Sequence, residues 1–138
     1  MSERVIVTQD KNFQTHFLAQ NPENEDHEEL QDIFHIHELT PYGMLLASLA
    51  ACTAIVVNTY AHHHAIPLDA IRVDAKYDRV FAEDCEDCDE DSRYEEIIQE
   101  QVEFEGDLDD RTRQRLHQVA RACAVRRLLE NGIRVETK

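Results

Sequence analysis

Residues 41 to 63 constrain this chain more than any other stretch. Thr40-Pro41 opens a helix, because a threonine hydroxyl caps orphan amides and proline fits the first helical position. The helix is expected to run to about His63, and it is apolar on nearly every face through Val57. Such a helix is buried all round, with a sheet on one side and a second cover on the other. In a chain of 138 residues that second cover is expected to be another copy, giving a homodimer. The most apolar part, Met44 to Val57, is 14 residues long and interrupted by Ser48 and Thr53. A membrane span needs roughly 20, so a buried helix is expected and no membrane partner.

Strand patterns flank this helix. Arg4 to Thr8 reads as a short strand, and Asn12 to Leu18 as a second with Phe13, Thr15 and Phe17 on one face. Residues 20 to 32 are polar and acidic and read as a loop. Ile33 to Leu39 alternates again, with Phe34 and Ile36 opposite His35 and His37. Beyond the helix, Ala70 to Phe81 sets Ile71, Val73, Ala75 and Tyr77 against Arg72, Asp74, Lys76 and Asp78, the pattern of a half-exposed antiparallel strand. Ile98 to Phe104 follows as a second long strand, its Gln99, Gln101, Glu103 and Glu105 towards solvent, and Gly106 ends it. Asp109 or Asp110 caps a second helix whose Leu116, Val119, Ala120 and Cys123 form a stripe. Gly132 stops that helix, and Ile133 with Val135 makes a last short strand. The order predicts one α+β domain over residues 1–138.

Charge narrows the partners. Asp and Glu total 29 against 14 Lys and Arg, a formal net charge of −15, which disfavours a nucleic-acid backbone or an anionic membrane. No charged segment followed by an apolar run opens the chain, so a cytoplasmic location is expected. There thiols stay reduced, and cysteines tend towards reactivity.

Cys52 lies in the middle of the first helix and Cys123 on the apolar stripe of the second. Each fits a small core residue. Both also face one core from the two long helices, so a redox pair is the competing reading.

Pro41-Tyr42-x-x-Leu45-Leu46-x-x-Leu49-x-x-Cys52-Thr53-Ala54, followed by Tyr60-Ala61, resembles the first cysteine helix of the OsmC/Ohr family of organic hydroperoxide reductases. Ala122-Cys123-x-Val125-x-Arg127-x-Leu129 resembles its second cysteine motif. Gly106-Asp107-Leu108 and Asp84-Cys85-x-x-Cys88 resemble an OsmC-like branch, and the likeness spans about residues 40 to 137. It implies antiparallel sheets with two long central helices in an intertwined homodimer. It also implies a catalytic Cys52 thiolate that attacks an organic hydroperoxide and becomes a sulfenic acid. Cys123 would resolve that acid as a disulfide, which an external dithiol reduces, with no cofactor.

A buried thiolate needs a nearby cation or donor. The peroxidase members use an arginine held by a glutamate just after the helix-opening proline. Here Tyr42 and Gly43 follow Pro41. Arg126 and Arg127 are the nearest cations by sequence, Arg127 lying close to the extended stripe but fitting better a surface arginine favoured by the helix C-terminus, and Arg4 is the N-terminal candidate. A non-enzymatic dimer that binds a small apolar or electrophilic ligand in the same pocket therefore stands beside the enzyme reading.

Cys85-Glu86-Asp87-Cys88 is a lone C-x-x-C with no second pair to complete a zinc site, and seven carboxylates within residues 83 to 91 disfavour a thiolate there. Cys85 and Cys88 remain weak metal candidates, and no metal is expected. Asp87, Asp89 and Asp91 fail the calcium-loop pattern, because Ser92 replaces the turn glycine and Ile98 the bidentate glutamate. His62, His63 and His64 end the first helix, where the helix dipole favours them, and nothing in their spacing with His35 and His37 demands a metal.

Overall fold

The computed structural model describes residues 2–20, 29–81 and 94–138. Five strands form one antiparallel sheet: β1 (Ser2–Asp10), β2 (Thr15–Gln20), β3 (Leu30–Ile33), β4 (Leu68–Phe81) and β5 (Tyr94–Gly106), in the order β3-β2-β1-β4-β5. Three helices complete the α+β fold, α1 (Pro41–His63), α2 (Asp110–Ala120) and α3 (Ala124–Asn131).

Helix α1 starts as its sequence dictates. The Thr40 hydroxyl accepts from the Gly43 amide at 3.0 Å and donates to the Glu3 carboxylate on β1, which fixes the entry of the helix over the sheet. Its alanines let the helix lie close to the strands. Leu46, Ala50, Ala54, Val57 and Ala61 meet Val5, Val7, Ile71, Val73 and Ala75 in one core. By length and composition alone α1 could cross a membrane; here its buried side packs along β1 and β4. From α2, Leu116 and Ala120 join the same core. Cover is incomplete within one chain, since Leu45 and Ile55 remain 36% and 47% exposed.

Two long strands lie beneath the helices. In register Ile71 faces Phe104, Val73 faces Val102, Ala75 faces Glu100 and Tyr77 faces Ile98, and these residues share the helix-covered face. Gly106 ends β5 with φ +150°, where a Cβ would meet the Pro67 carbonyl oxygen at 2.3 Å, so only glycine lets the hairpin partner approach so closely.

Four segments differ from the sequence expectation. Of Ile33 to Leu39 only Ile33 lies in a strand. The Glu38 carboxylate accepts from the Phe34 and His35 amides, both at 2.8 Å, which curls Ile36–Glu38 into a 3₁₀ turn and leaves Phe34 and Ile36 exposed. Ile33 ends β3, whose other three residues lie inside the stretch read as a loop. The second strand begins at Thr15, because Phe13 sits in the preceding turn with φ 63° and stacks on His62. Ile133 and Val135 form no strand: Gly132 stops α3 as expected, and beyond it both side chains are exposed with no strand pairing them among the described residues.

Candidate functional site

Cys52 stands midway along α1, half-buried, and Cys123 is fully buried. Both are free thiols. The second helix does not carry Cys123 in its middle, as its stripe suggested. The Arg121 and Ala122 amides donate to the Gln118 and Val119 carbonyls at 3.2 and 2.9 Å, a tightened final turn, and Cys123 then adopts extended backbone as the N-cap of α3. The break turns the sulfur towards α1, where the Cys123 thiol donates to the Leu49 carbonyl across 3.9 Å.

The Thr53 hydroxyl donates to the same carbonyl at 3.1 Å, and the Cys52 and Thr53 side chains both act on the Cys123 sulfur. Burial pushes the Cys123 thiol up from its ordinary value, and the Cys52 side chain pushes the same way. The Arg126 amide and Thr53 oppose that rise. This amide stands at the third position of α3, where N-terminal N–H groups favour negative charge, although no cap hydrogen bond of ordinary geometry forms.

An open groove of about 1020 Å³ reaches Leu49, whose carbonyl meets the Cys123 thiol, and its aliphatic lining is Leu45 and Leu49 from α1, Ile98 and Val102 from β5, and Ala120 and Leu129 from the helices above. Cys52 follows Leu49 by one helical turn. The rest of the lining is polar, with Gln101, His117, Arg121 and Glu130 among it, and two clusters stand out. At one end the Tyr77 hydroxyl donates to Glu96 at 2.8 Å and Arg79 donates to the same oxygen at 3.2 Å, while Tyr42 stacks on Tyr77. Nearer the thiols, the Thr53 hydroxyl donates to the Glu100 carboxylate at 2.9 Å. Burial pushes the Glu100 carboxyl up, against the hydrogen bond from Thr53 and the charge of Arg126. Arg126 itself donates to Glu130 at 2.7 Å and lies within electrostatic reach of both Glu100 and Cys123.

A family model described as OsmC-like protein matches residues 34–138. The chain belongs to the OsmC-like family. Among solved structures, an OsmC-like hydroperoxide resistance protein from Jannaschia sp. CCS1 is similar, with a TM-score of 0.61 and 12% identity, over 97% of this chain and 90% of that chain. At such identity the likeness is one of fold. No curated protein matches the sequence.

This OsmC-like chain places the two candidate arginines away from its thiols. Arg4 alternates with the inward Val5 and so projects from the opposite sheet face, where both ends of its guanidinium donate to Asp74, at 2.9 and 2.6 Å. Arg127 is exposed, and its neighbour Arg126 lines the groove instead. The cause is the helix break, which resets the phase after Ala120. Cys85 and Cys88 lie outside the described residues. His35 stacks on His37, and His62 contacts the Lys11 carbonyl; among the described residues no group of three or more His, Cys, Asp or Glu side chains is arranged to hold a metal. Sequence reasoning missed Thr53 and Glu100. The available signal was strand alternation, since Glu100 occupies an inward slot between Ile98 and Val102.

Proposed function

We propose that this OsmC-like protein reduces organic hydroperoxides with Cys52 as nucleophile and Cys123 as resolving thiol. The observation that carries the reading is the interaction of two thiols, the half-buried Cys52 on α1 and the fully buried Cys123 held against the Leu49 carbonyl, next to an open groove that Leu49 also lines. Family membership and the fold shared with a hydroperoxide resistance protein support the same chemistry.

The Cys52 thiolate attacks the distal peroxide oxygen, the O–O bond breaks, and the alkoxide leaves as an alcohol after taking a proton. Cys52 is then a sulfenic acid. Cys123 attacks the Cys52 sulfur, the S–O bond breaks, water leaves, and a Cys52–Cys123 disulfide forms. An external dithiol returns both thiols by exchange. The aliphatic part of the lining, Leu45, Leu49, Ile98, Val102 and Leu129, favours an organic peroxide over hydrogen peroxide, because an alkyl or aryl group gains by leaving water. Arg126 is the cation placed to stabilise negative charge at the pair.

The protein works as a cytoplasmic homodimer in this reading. Leu45 and Ile55 on α1 are the apolar side chains a second copy would cover. Light scattering after gel filtration gives the mass.

Treatment with one equivalent of cumene hydroperoxide should remove two hydrogens from the intact mass and join the Cys52 and Cys123 peptides. Cys123→Ser should trap a sulfenic acid at Cys52. Thiols that stay unmodified while a control peroxidase reacts overturn the reading. They would leave the second one, a dimer binding an apolar or electrophilic ligand, which is favoured by the sharing of Arg126 between Glu100 and Glu130.

A further inference from the structure

A resolving thiol must lose its proton as it attacks, and here the reacting sulfur is buried beneath α1 with no direct path to water. Its neighbours supply one. The Thr53 hydroxyl and the Cys123 thiol meet at one acceptor, the Leu49 carbonyl, at 3.1 and 3.9 Å, and Thr53 also donates to the Glu100 carboxylate at 2.9 and 3.3 Å. Glu100 in turn lines the open groove. We infer that Cys123, Thr53 and Glu100 form a hydrogen-bonded relay in which Glu100 takes up the proton that Cys123 gives up. The inference deepens the hydroperoxide-reductase reading and rests on its assignment of Cys123 as the resolving residue.

The step balances. As the S–S bond forms, the Cys123 proton passes to Thr53 while the Thr53 proton passes to Glu100. The Cys52 S–O bond breaks, and hydroxide leaves as water with the proton that Glu100 returns through the groove. The Cys123 sulfur is oxidised and the Cys52 sulfur reduced from the sulfenic state, so no further oxidant is required. In the resting arrangement the Cys123 thiol instead donates to the Leu49 carbonyl, which also accepts from Thr53 at 3.1 Å. Thr53 therefore has two acceptors on its donor side, and switching between them opens or closes the relay.

Glu100 suits the base role for a second reason. Its burial raises its proton affinity above that of an ordinary carboxylate, and a general base works better as its pKa approaches ambient pH. The other titratable groups around the groove are Tyr42 from α1, Arg126 and Glu130 from α3, His117 from α2 and Arg121 just after it, Tyr77 from β4 and Glu96 from β5. Of these, Arg126 is the one whose charge acts on Glu100. Because it acts through Thr53, Glu100 is a positioning and proton-accepting residue and does not touch the reacting sulfurs.

The test avoids peroxide. In a full-length chain with Cys85 and Cys88 replaced by serine, 5,5′-dithiobis(2-nitrobenzoate) first modifies the accessible Cys52 and releases one thionitrobenzoate. Cys123 then attacks Cys52 and releases a second, which leaves as a thiolate and needs no proton. Glu100→Gln should leave the first release within threefold of the parent (~0.5 log unit). At neutral pH it should slow the second release by at least about tenfold, the low end of what general-base loss costs. The deficit should close at alkaline pH, where Cys123 ionises unaided. Thr53→Val should match it, and Thr53→Ser should restore the rate. Superimposable pH profiles for the parent and Glu100→Gln overturn the relay, as does a deficit equal at every pH, which marks a structural role. A chain that shows the relay profile yet leaves cumene hydroperoxide intact keeps the relay and loses the peroxidase reading.

Discussion

Glu100→Gln should make the protein more stable at neutral pH while harming it as a catalyst. A carboxylate on the helix-covered face of β5 pays a desolvation cost that an amide of the same shape does not. The amide oxygen still accepts from Thr53, so the 2.9 Å hydrogen bond survives. What disappears is the attraction of Arg126, which keeps Glu130 at 2.7 Å. Burial is the largest influence on Glu100 and outweighs both favourable contacts, so its folded-state pKa lies above the ordinary value of 4.5. Between 4.5 and that raised value the folded state holds more proton than the unfolded one, so stability falls as pH rises through the window. Below it the carboxyl is neutral in both states and the penalty vanishes. Relief of such a functional compromise commonly yields about 0.5–2 kcal/mol, and the groove's access to water places this site near 1 kcal/mol. For a chain of this length that is roughly 3–4 °C in Tm. Urea unfolding of both proteins at equal concentration, once at neutral pH and once below 4.5, measures the difference. A variant less stable than the parent at neutral pH refutes the reasoning, as does a gain of equal size at both pH values.

The Arg4–Asp74 pair gives the opposite sign. Arg4 holds the Asp74 carboxyl below its ordinary 3.8, so the pair stabilises the fold above that value and its contribution fades as acid titrates Asp74; Asp74→Asn should cost about 1 kcal/mol at neutral pH and nothing in strong acid, by urea unfolding. Ala65 ends α1 in the left-handed region with φ 50°, where a Cβ is disfavoured, so Ala65→Gly should raise stability by about 0.5–1 kcal/mol in thermal unfolding. A fall in Tm would show that the methyl's packing outweighs its strain.

Much of the fold was legible because its strongest elements obey local rules. Thr40 and Pro41 mark the start of α1 by composition, and the alternation of Ile71, Val73, Ala75 and Tyr77 selects the face of β4 that meets it. The family motif then brought Cys52 and Cys123 into one account before any coordinates. Short elements failed for equally physical reasons. Ile33 to Leu39 alternates like a strand, yet one acidic side chain, Glu38, gathers two amides and bends it, and local pattern carries no term for that competition. β3 lay hidden because its four residues are extended by pairing with β2, a tertiary cause, and not by their own propensity.

The site was harder to read because both of its decisive features break a local rule. No glycine or proline interrupts residues 118 to 126, so a continuous helix is the natural expectation, and on it Arg127 lies near the extended stripe of Cys123 while also fitting a surface arginine at the helix C-terminus. The observed break lifts Cys123 to an N-cap, aims the Arg126 amide at its sulfur and exchanges Arg127 for Arg126 at the groove. Glu100 likewise occupies a strand position whose neighbours on that face are apolar. A break without a breaker and a carboxylate facing inward each cost stability, and they converge on one sulfur. Independent accidents of packing would fall anywhere in the sheet or helices, whereas costs gathered around the resolving thiol are those a functional site carries. Restoring a stable charge pattern at Glu100 should therefore cost the protein its chemistry before its fold.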